Sequence, residues 1–225
     1  MSRPRPLRAF GSALLAAGLC APLLAACGAD APDGSQETSG AVVRIETTGC
    51  QPIQVGTGMV VGDELVLTAA HVVAGADTIE ITTAAGTTHA AERSVLADDV
   101  DFAYLTVPGL DVEPVALSDR AVRSISAVVL FDEGVVPVLL ERAIIARTTD
   151  IYRRGEVSKL MLELDVVVDP GDSGAAVLDG TGSVIGVINS FAAGIDHTFA
   201  LHRDEILEWV PTPAASADGV GSCSR

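Results

Sequence analysis

The chain has 225 residues, 48% of them hydrophobic, so it can bury the core of one domain or of two small ones that share a cleft. Acidic residues number 30 against 14 basic ones, which gives a formal net charge of −16. This charge argues against a nucleic-acid partner, because phosphate binding needs a basic face. With only 4% aromatic residues, the chain also lacks a platform on which bases could stack.

Residues 1–26 have the pattern of an export signal. Arg3, Arg5 and Arg8 form a positively charged head, and an apolar run from Ala9 to Ala26 follows, interrupted by glycines and one proline. The run lacks the length and regularity of a stable membrane span. We therefore expect these residues to be removed and the remainder of the chain to be exported.

The end of this signal, Leu24-Ala25-Ala26-Cys27, resembles the lipobox of bacterial lipoproteins, in which the cysteine is lipidated and becomes the new N-terminus. The resemblance implies a membrane anchor at Cys27 and a location on the outer face of the bacterial cell membrane. The alternative is ordinary cleavage near Ala26, which gives a secreted protein. The composition of residues 28–40, rich in Gly, Ala, Ser and acids, predicts that 27–40 is a flexible tether.

Two further cysteines, Cys50 and Cys223, remain after the signal. In an oxidising compartment an even pair usually forms a disulfide, which here would join the first strand region to the tail, residues 213–225. The alternative is a pair of unrelated thiols, because sequence does not reveal proximity.

Short β-segments separated by turn residues fill the chain from Ala41 onward. Segments 42–46 and 78–82 alternate with a period of two, and apolar runs cover 56–61, 65–68 and 102–107. A second set covers 127–131, 135–146, 160–168, 175–178 and 183–188. Only 204–210 has a helical pattern, and Pro211 stops it. Many short strands in two groups predict an all-β fold of two small antiparallel barrels, about 41–117 and about 118–203, within one domain at 41–212.

A serine lies in a glycine-rich turn, Asp169-Pro170-Gly171-Asp172-Ser173-Gly174. A glycine two residues before the serine lets the backbone turn so that the N–H groups of Gly171 and Ser173 point at one spot. Such a pair of donors forms an oxyanion hole, and losing one donor raises a reaction barrier by roughly 3 kcal/mol. The turn therefore predicts a nucleophile beside its oxyanion donors, although a tight turn in a β protein has the same letters.

A base and an acid precede this serine in the chain. His71 ends the block Leu67-Thr68-Ala69-Ala70-His71, so it follows an apolar strand and small residues. Asp101 opens the apolar strand that starts at Phe102, where its carboxylate can be buried against the imidazole Nδ1–H. Asp98 and Asp99 could take its place in principle, but they are interpreted as turn residues, with a cation site as the alternative. A hydroxyl, a base and an orienting acid are the groups that acyl transfer requires.

These three blocks, in the order His, Asp, Ser, resemble the trypsin-like, or chymotrypsin-fold, serine proteases. The separations of 30 residues (His71 to Asp101) and 72 residues (Asp101 to Ser173) are closer to the bacterial HtrA-type protease core, and we expect no PDZ domain after Val210. The resemblance covers about 41–210. It implies two six-stranded antiparallel β-barrels with a short C-terminal helix, and a catalytic triad of His71, Asp101 and Ser173.

The chain departs from the trypsin pattern in two places. It has no Arg-Ile-Val-Gly-Gly-like start that could pair with the acid before the serine, so Asp172 needs another partner, an arginine or water. Asn189 stands where many family members carry a serine that supports the buried acid, and its amide can still donate to Asp101.

The resemblance also places a substrate pocket at Val167, Asn189, Ser190, Phe191 and His197. Val167 is not an acid, so we expect cleavage after small or medium apolar residues, with a preference for acidic residues through His197 as the alternative. The predicted function is an exported serine endopeptidase acting on polypeptides. A non-catalytic peptide- or protein-binding lipoprotein and an esterase are the competing interpretations. No cofactor or metal site is expected from the His and Cys spacing.

Overall fold

The computed structural model describes residues 39–49, 53–120, 126–131, 134–191 and 197–208. A 3₁₀ turn (Ser39–Ala41) precedes the first group of strands: β1 (Val42–Thr48), β2 (Gln54–Gly62), β3 (Leu65–Thr68), β4 (Thr78–Thr83), β5 (Thr88–Ala97) and β6 (Phe102–Thr106). The second group is β7 (Ser126–Phe131), β8 (Gly134–Thr149), β9 (Glu156–Asp165), β10 (Ala176–Leu178), β11 (Val184–Phe191) and β12 (Thr198–His202). Two short helices are α1 (Ala70–Val73) and α2 (Arg203–Leu207).

Each group of strands closes into an antiparallel barrel. The first has the order β1-β2-β3-β6-β5-β4 and the second β10-β11-β12-β9-β8-β7. Closure leaves no open sheet edge, so every strand of both barrels is paired on two sides. The predicted fold of two six-stranded antiparallel barrels is confirmed.

Alternating side chains explain how the first barrel forms. In β4, Ile79 and Ile81 are buried while Glu80 between them is exposed, as the period of two predicts. In β6, Phe102 and Tyr104 are both buried and meet edge to face with ring centroids 5.6 Å apart. Burial raises the pKa of Tyr104 to about 12, so this phenol stays neutral in the core.

A connecting segment, residues 107–118, fastens the first barrel to the second. Val115 donates its backbone N–H to the carbonyl of Val60 in β2, at 2.9 Å. Three residues later, Ser118 donates to the carbonyl of Val184 at the start of β11, at 2.8 Å. Because one short segment is hydrogen-bonded to both barrels, it fixes how they face each other.

Strands β5 and β12 were not among the predicted segments, and several predicted elements have different boundaries in the structure. Strand β9 starts at Glu156 and ends at Asp165, so the predicted strand 160–168 is shifted and Val166 to Val168 lie in the following loop. Helix α2 starts at Arg203, one residue before the predicted 204, and residues 209–210 lie outside the described ranges. The side chain of His202 accepts a hydrogen bond from the backbone N–H of Asp204, which explains the earlier start.

The predicted leader, most of the tether and the tail lie outside the described residues, as do Cys27, Cys50 and Cys223. Among the residues that are described, no helix has the length and apolar character needed to cross a bilayer.

Candidate active site

His71 and Asp101 form a hydrogen-bonded pair at the rim of the first barrel. His71 lies in the single turn of α1, directly after β3, and Asp101 lies directly before β6. The imidazole Nδ1 is 3.0 Å from Oδ2 and 3.1 Å from Oδ1 of the carboxylate, and the backbone N–H of His71 also donates to Oδ1 at 2.9 Å. Strands β3 and β6 are neighbours in the barrel, so their ends bring the two residues together.

Asp101 is held in an unusual backbone conformation. Its φ is +68°, a region that non-glycine residues rarely adopt, and its side chain is buried. The neighbouring acids point elsewhere, since Asp98 pairs with Arg154 and Asp99 accepts from the backbone N–H of Val100 at 2.9 Å. Local strain at one residue that a surrounding structure holds in place is typical of functional sites.

The electrostatics of His71 are a balance of opposing effects. Burial lowers its pKa, but the negative charge and hydrogen bond of Asp101 raise it, and the net result is a pKa above the ordinary histidine value. The positive charge of Lys159 acts in the opposite direction and lowers the pKa. The carboxylate thus stabilises the protonated ring, which is the form produced when histidine takes a proton from a neighbour.

Ser173 lies on a tight loop between β9 and β10 that is held by its own residues. Asp172 donates its N–H to the Asp169 carbonyl at 3.1 Å, and its carboxylate accepts from the N–H of Asp169 at 2.8 Å. Gly171 and Gly174, with φ of +113° and +91°, supply the left-handed backbone that the turn requires. The carboxylate of Asp172 therefore closes this loop itself, which gives it a partner that the sequence did not reveal.

The first barrel clamps this serine loop through Thr57 in β2. The Thr57 hydroxyl donates to the Gly171 carbonyl at 2.8 Å, and the Thr57 N–H donates to the Ser173 carbonyl at 2.8 Å. A side chain at Gly174 would collide with the Thr57 carbonyl and the Thr68 hydroxyl. Within the described residues, no protein acceptor takes the N–H of Gly171 or of Ser173.

All three residues of the predicted triad line one open cleft between the barrels, with a volume of about 790 Å³. The predicted pocket residues Asn189 and Ser190 also line this cleft. The second barrel and its loops supply most of the apolar residues that line the cleft: Ile144, Ala146, Ile151, Met161, Val168, Ile188 and Phe199.

Two other predicted pocket residues lie elsewhere. Val167 is 68% exposed and lines a separate depression with Arg44 and Asp172, because β9 ends before it and its neighbour Val168 turns toward the cleft. His197 points its Nδ1 at a Glu163 carboxylate oxygen 3.5 Å away and is not among the cleft-lining residues. The side chain of Phe191 lies outside the described part of the chain.

Sequence reasoning missed Lys159, which lies on β9 and lines the cleft although it is only 6% exposed. It is the only lysine in the chain. A lone lysine within the alternating pattern of a barrel strand, at a position that faces inward, was the signal available in the sequence.

A family model for the trypsin-like peptidase domain matches residues 56–187. The chain belongs to the trypsin-like peptidase family. The match begins within β2, ends within β11 and spans all three residues of the predicted triad.

Curated relatives and solved structures agree with this family. The chain is 33% identical over 201 residues to serine protease Rv3671c of Mycobacterium tuberculosis, an alignment that covers 83% of this chain and 49% of that protein. The chain thus spans about half the length of the curated relatives it matches. The crystal structure of the Rv3671c protease in its active form has a TM-score of 0.79 at 27% identity, covering 84% of this chain and 88% of that one. A serine-to-alanine variant of the HtrA-type protease AlgW, with a tripeptide, has the same fold, with a TM-score of 0.67 at 21% identity over 77% of this chain and 60% of that chain.

Proposed function

We propose that this chain of the trypsin-like family is a serine endopeptidase with Ser173 as nucleophile, His71 as general base and Asp101 as the residue that orients the base. The observation that carries the proposal is the hydrogen-bonded imidazole of His71. Its Nδ1 faces a buried carboxylate at 3.0 Å, in the same cleft as a serine in a glycine-rich turn. Because the carboxylate keeps the proton on Nδ1, the tautomer presents a lone pair on Nε2, which is the atom that must take the proton of the serine.

The chemistry follows from these roles. The Ser173 oxygen attacks the carbonyl carbon of the scissile bond while His71 takes the hydroxyl proton on Nε2. The N–H groups of Gly171 and Ser173 then hold the developing oxyanion. Protonated His71 returns the proton to the leaving amine, the C–N bond breaks and an acyl-enzyme remains. Water, deprotonated by His71, cleaves the ester and restores Ser173.

Similarity to an active enzyme supports a competent arrangement in this chain. The TM-score is 0.79 against the active form of the Rv3671c protease and 0.68 against both inactive forms, one of which is a serine-to-alanine variant. The self-closed Asp169–Asp172 turn adds a second argument, because it orders the serine loop without a freed N-terminus.

For the substrate, we propose polypeptides cleaved after small or medium apolar residues. Val168, Ile188 and Phe199 supply an apolar wall in the cleft. A preference for acidic residues has less support, because the His197 ring faces Glu163.

We further propose that the protein is exported, carries a lipid on Cys27 and pairs Cys50 with Cys223. The support is the sequence pattern of the leader and the even cysteine count that remains after it. Intact-mass measurement of the purified full chain, with and without reduction, tests both modifications. A secreted protein without a lipid or with two free thiols would overturn the respective part.

Labelling with a fluorophosphonate probe tests the proposed chemistry, because the probe reacts with activated serines. We expect the native protein to be labelled, Ser173→Ala and His71→Ala to lose labelling, and Ser158→Ala, an exposed serine on β9, to retain it. A well-folded native protein that stays unlabelled would leave the binding-protein interpretation. Labelling without hydrolysis of any peptide, alongside turnover of esters, would favour an esterase.

A further inference from the structure

The only lysine of the chain lies beside the proposed triad. Lys159 projects from β9 of the second barrel, and its ammonium group donates to the backbone carbonyl of Val100, at 3.3 Å. Val100 directly precedes Asp101 in the first barrel, so the bond crosses the cleft between the barrels. Lys159 is 6% exposed, and the next residue on the same face of β9, Met161, is a buried apolar residue.

A second side chain holds the same carbonyl. Asn189, on β11, directs its amide Nδ2 at the Val100 carbonyl from 3.5 Å. The sequence had suggested that this amide donates to Asp101, and the structure places it one residue earlier instead. Two donors from the second barrel therefore converge on the peptide that carries Asp101, the residue whose φ of +68° needs outside support.

The charged groups around Lys159 affect its pKa, and its own charge affects the pKa of His71. Burial lowers the pKa of Lys159, and the carboxylates of Asp101, Asp99 and Glu205 oppose this shift without cancelling it. The positive charge of the same ammonium group lowers the pKa of the His71 ring. The other charged residues that line the cleft are Asp150, Arg153 and Asp169.

Packing alone does not explain a lysine here. A methionine has nearly the same shape and loses no hydration on burial, whereas a buried ammonium group costs free energy unless its partners compensate. A lysine at this position thus gives a less stable fold than a methionine would, as residues that serve activity often do.

We propose that Lys159 is a positioning residue for the triad: its ammonium group holds the Val100–Asp101 peptide in place from the second barrel. A consequence is that its positive charge also acts on His71 and favours the unprotonated ring. This inference rests on the proposed peptidase function. It makes the geometry of the His71–Asp101 pair in the first barrel depend on how the second barrel packs against it.

The test compares the native protein with Lys159→Met, Lys159→Gln and Lys159→Arg across pH, using the rate of fluorophosphonate labelling. Arg147→Met is the matched control, because it removes a positive charge from an exposed position on the adjacent strand. We expect Lys159→Met to label at least about tenfold more slowly at its plateau, since small displacements of catalytic groups cost this much or more. The midpoint of its acid limb should move to higher pH, because His71 then keeps its proton longer.

The other variants separate the two roles. Lys159→Arg should keep the midpoint, since the charge remains, and Lys159→Gln should shift the midpoint while it loses less of the plateau. If Lys159→Met does not fold, the glutamine variant supports or overturns the charge effect alone. Arg147→Met should match the native profile.

Imidazole NMR titration provides a readout that does not depend on turnover. The resonance assigned to His71, by its loss in His71→Gln, should titrate at higher pH in Lys159→Met than in the native protein. An unchanged titration together with an unchanged labelling profile overturns the inference and leaves the peptidase proposal standing. Native protein that is unlabelled at every pH instead overturns the proposed function, while the titration still tests the effect of Lys159 on His71.

Discussion

Thr57→Val isolates the clamp between the first barrel and the serine loop. Thr57 is 1% exposed, and its hydroxyl donates to the Gly171 carbonyl at 2.8 Å while its backbone N–H donates to the Ser173 carbonyl at 2.8 Å. Valine preserves the shape and the backbone bond and removes only the hydroxyl. A buried hydrogen bond contributes about 1 kcal/mol net, and the half-buried carbonyl left behind adds a desolvation cost, so we expect a loss of about 1–2 kcal/mol in the free energy of unfolding.

The same change should affect labelling more than stability. Without the hydroxyl, the Gly171 carbonyl is no longer held, so the backbone dihedral angles of Gly171 can relax. The Gly171 N–H, which lies on the preceding peptide, then loses its fixed direction. We expect the rate of fluorophosphonate labelling to fall about tenfold or more, in line with the value of a well-aimed oxyanion donor.

Thr47→Val is the matched control for this prediction. Thr47 is also 1% exposed in the first barrel, but its hydroxyl donates to the Gln54 carbonyl over a longer distance, 3.4 Å. Urea unfolding and labelling rates are measured for both variants. If Thr57→Val labels within about twofold of Thr47→Val, the clamp does not orient the oxyanion donors and the reasoning fails.

Two further variants test local features of the fold. Gly174→Ala introduces a Cβ that collides with the Thr57 carbonyl at a residue with φ of +91°, so urea unfolding should show a loss of about 3 kcal/mol or more; a loss under about 1 kcal/mol would contradict the strained turn. Burial raises the pKa of Asp179, but hydrogen bonds from Thr181, Ser183 and Ser118 outweigh this and hold it below its ordinary value. Its contribution to stability is therefore present above the ordinary carboxyl range and lost as pH falls through the lowered value. Asp179→Asn should cost about 1–3 kcal/mol at neutral pH and flatten the acid limb of the unfolding curve, whereas an acid limb as steep as that of exposed Asp119→Asn would refute this assignment.

The sequence predicted those parts of the site whose residues lie in short, continuous motifs. His71 follows an apolar strand, Asp101 opens one, and Ser173 sits in a glycine turn, so local pattern and chemistry identify each of them without any knowledge of packing. The alternation of β4 and the punctuation by glycine turns predicted two antiparallel barrels for the same reason.

The parts that it missed depend on contacts between distant segments. Thr57 is 114 residues from Gly171, and Lys159 is 59 residues from Val100, so neither pairing leaves a local signal. The prediction that Val167 lines the pocket failed for a different reason. Strand β9 ends at Asp165, and in the following loop the direction of each side chain is set by turn geometry rather than by a period of two.

The division of the site between the barrels determines when, during synthesis of the chain, the complete site can form. The first barrel is complete at Thr106, yet it holds only the base and its acid. The nucleophile arrives in the second barrel, whose final strand, Thr198–His202, closes it by pairing with β9 and β11. On the proposed mechanism, a chain that is still being synthesised carries two parts of the site that are inactive separately. The proposed peptidase activity is thus deferred until nearly the last residues of the domain are in place.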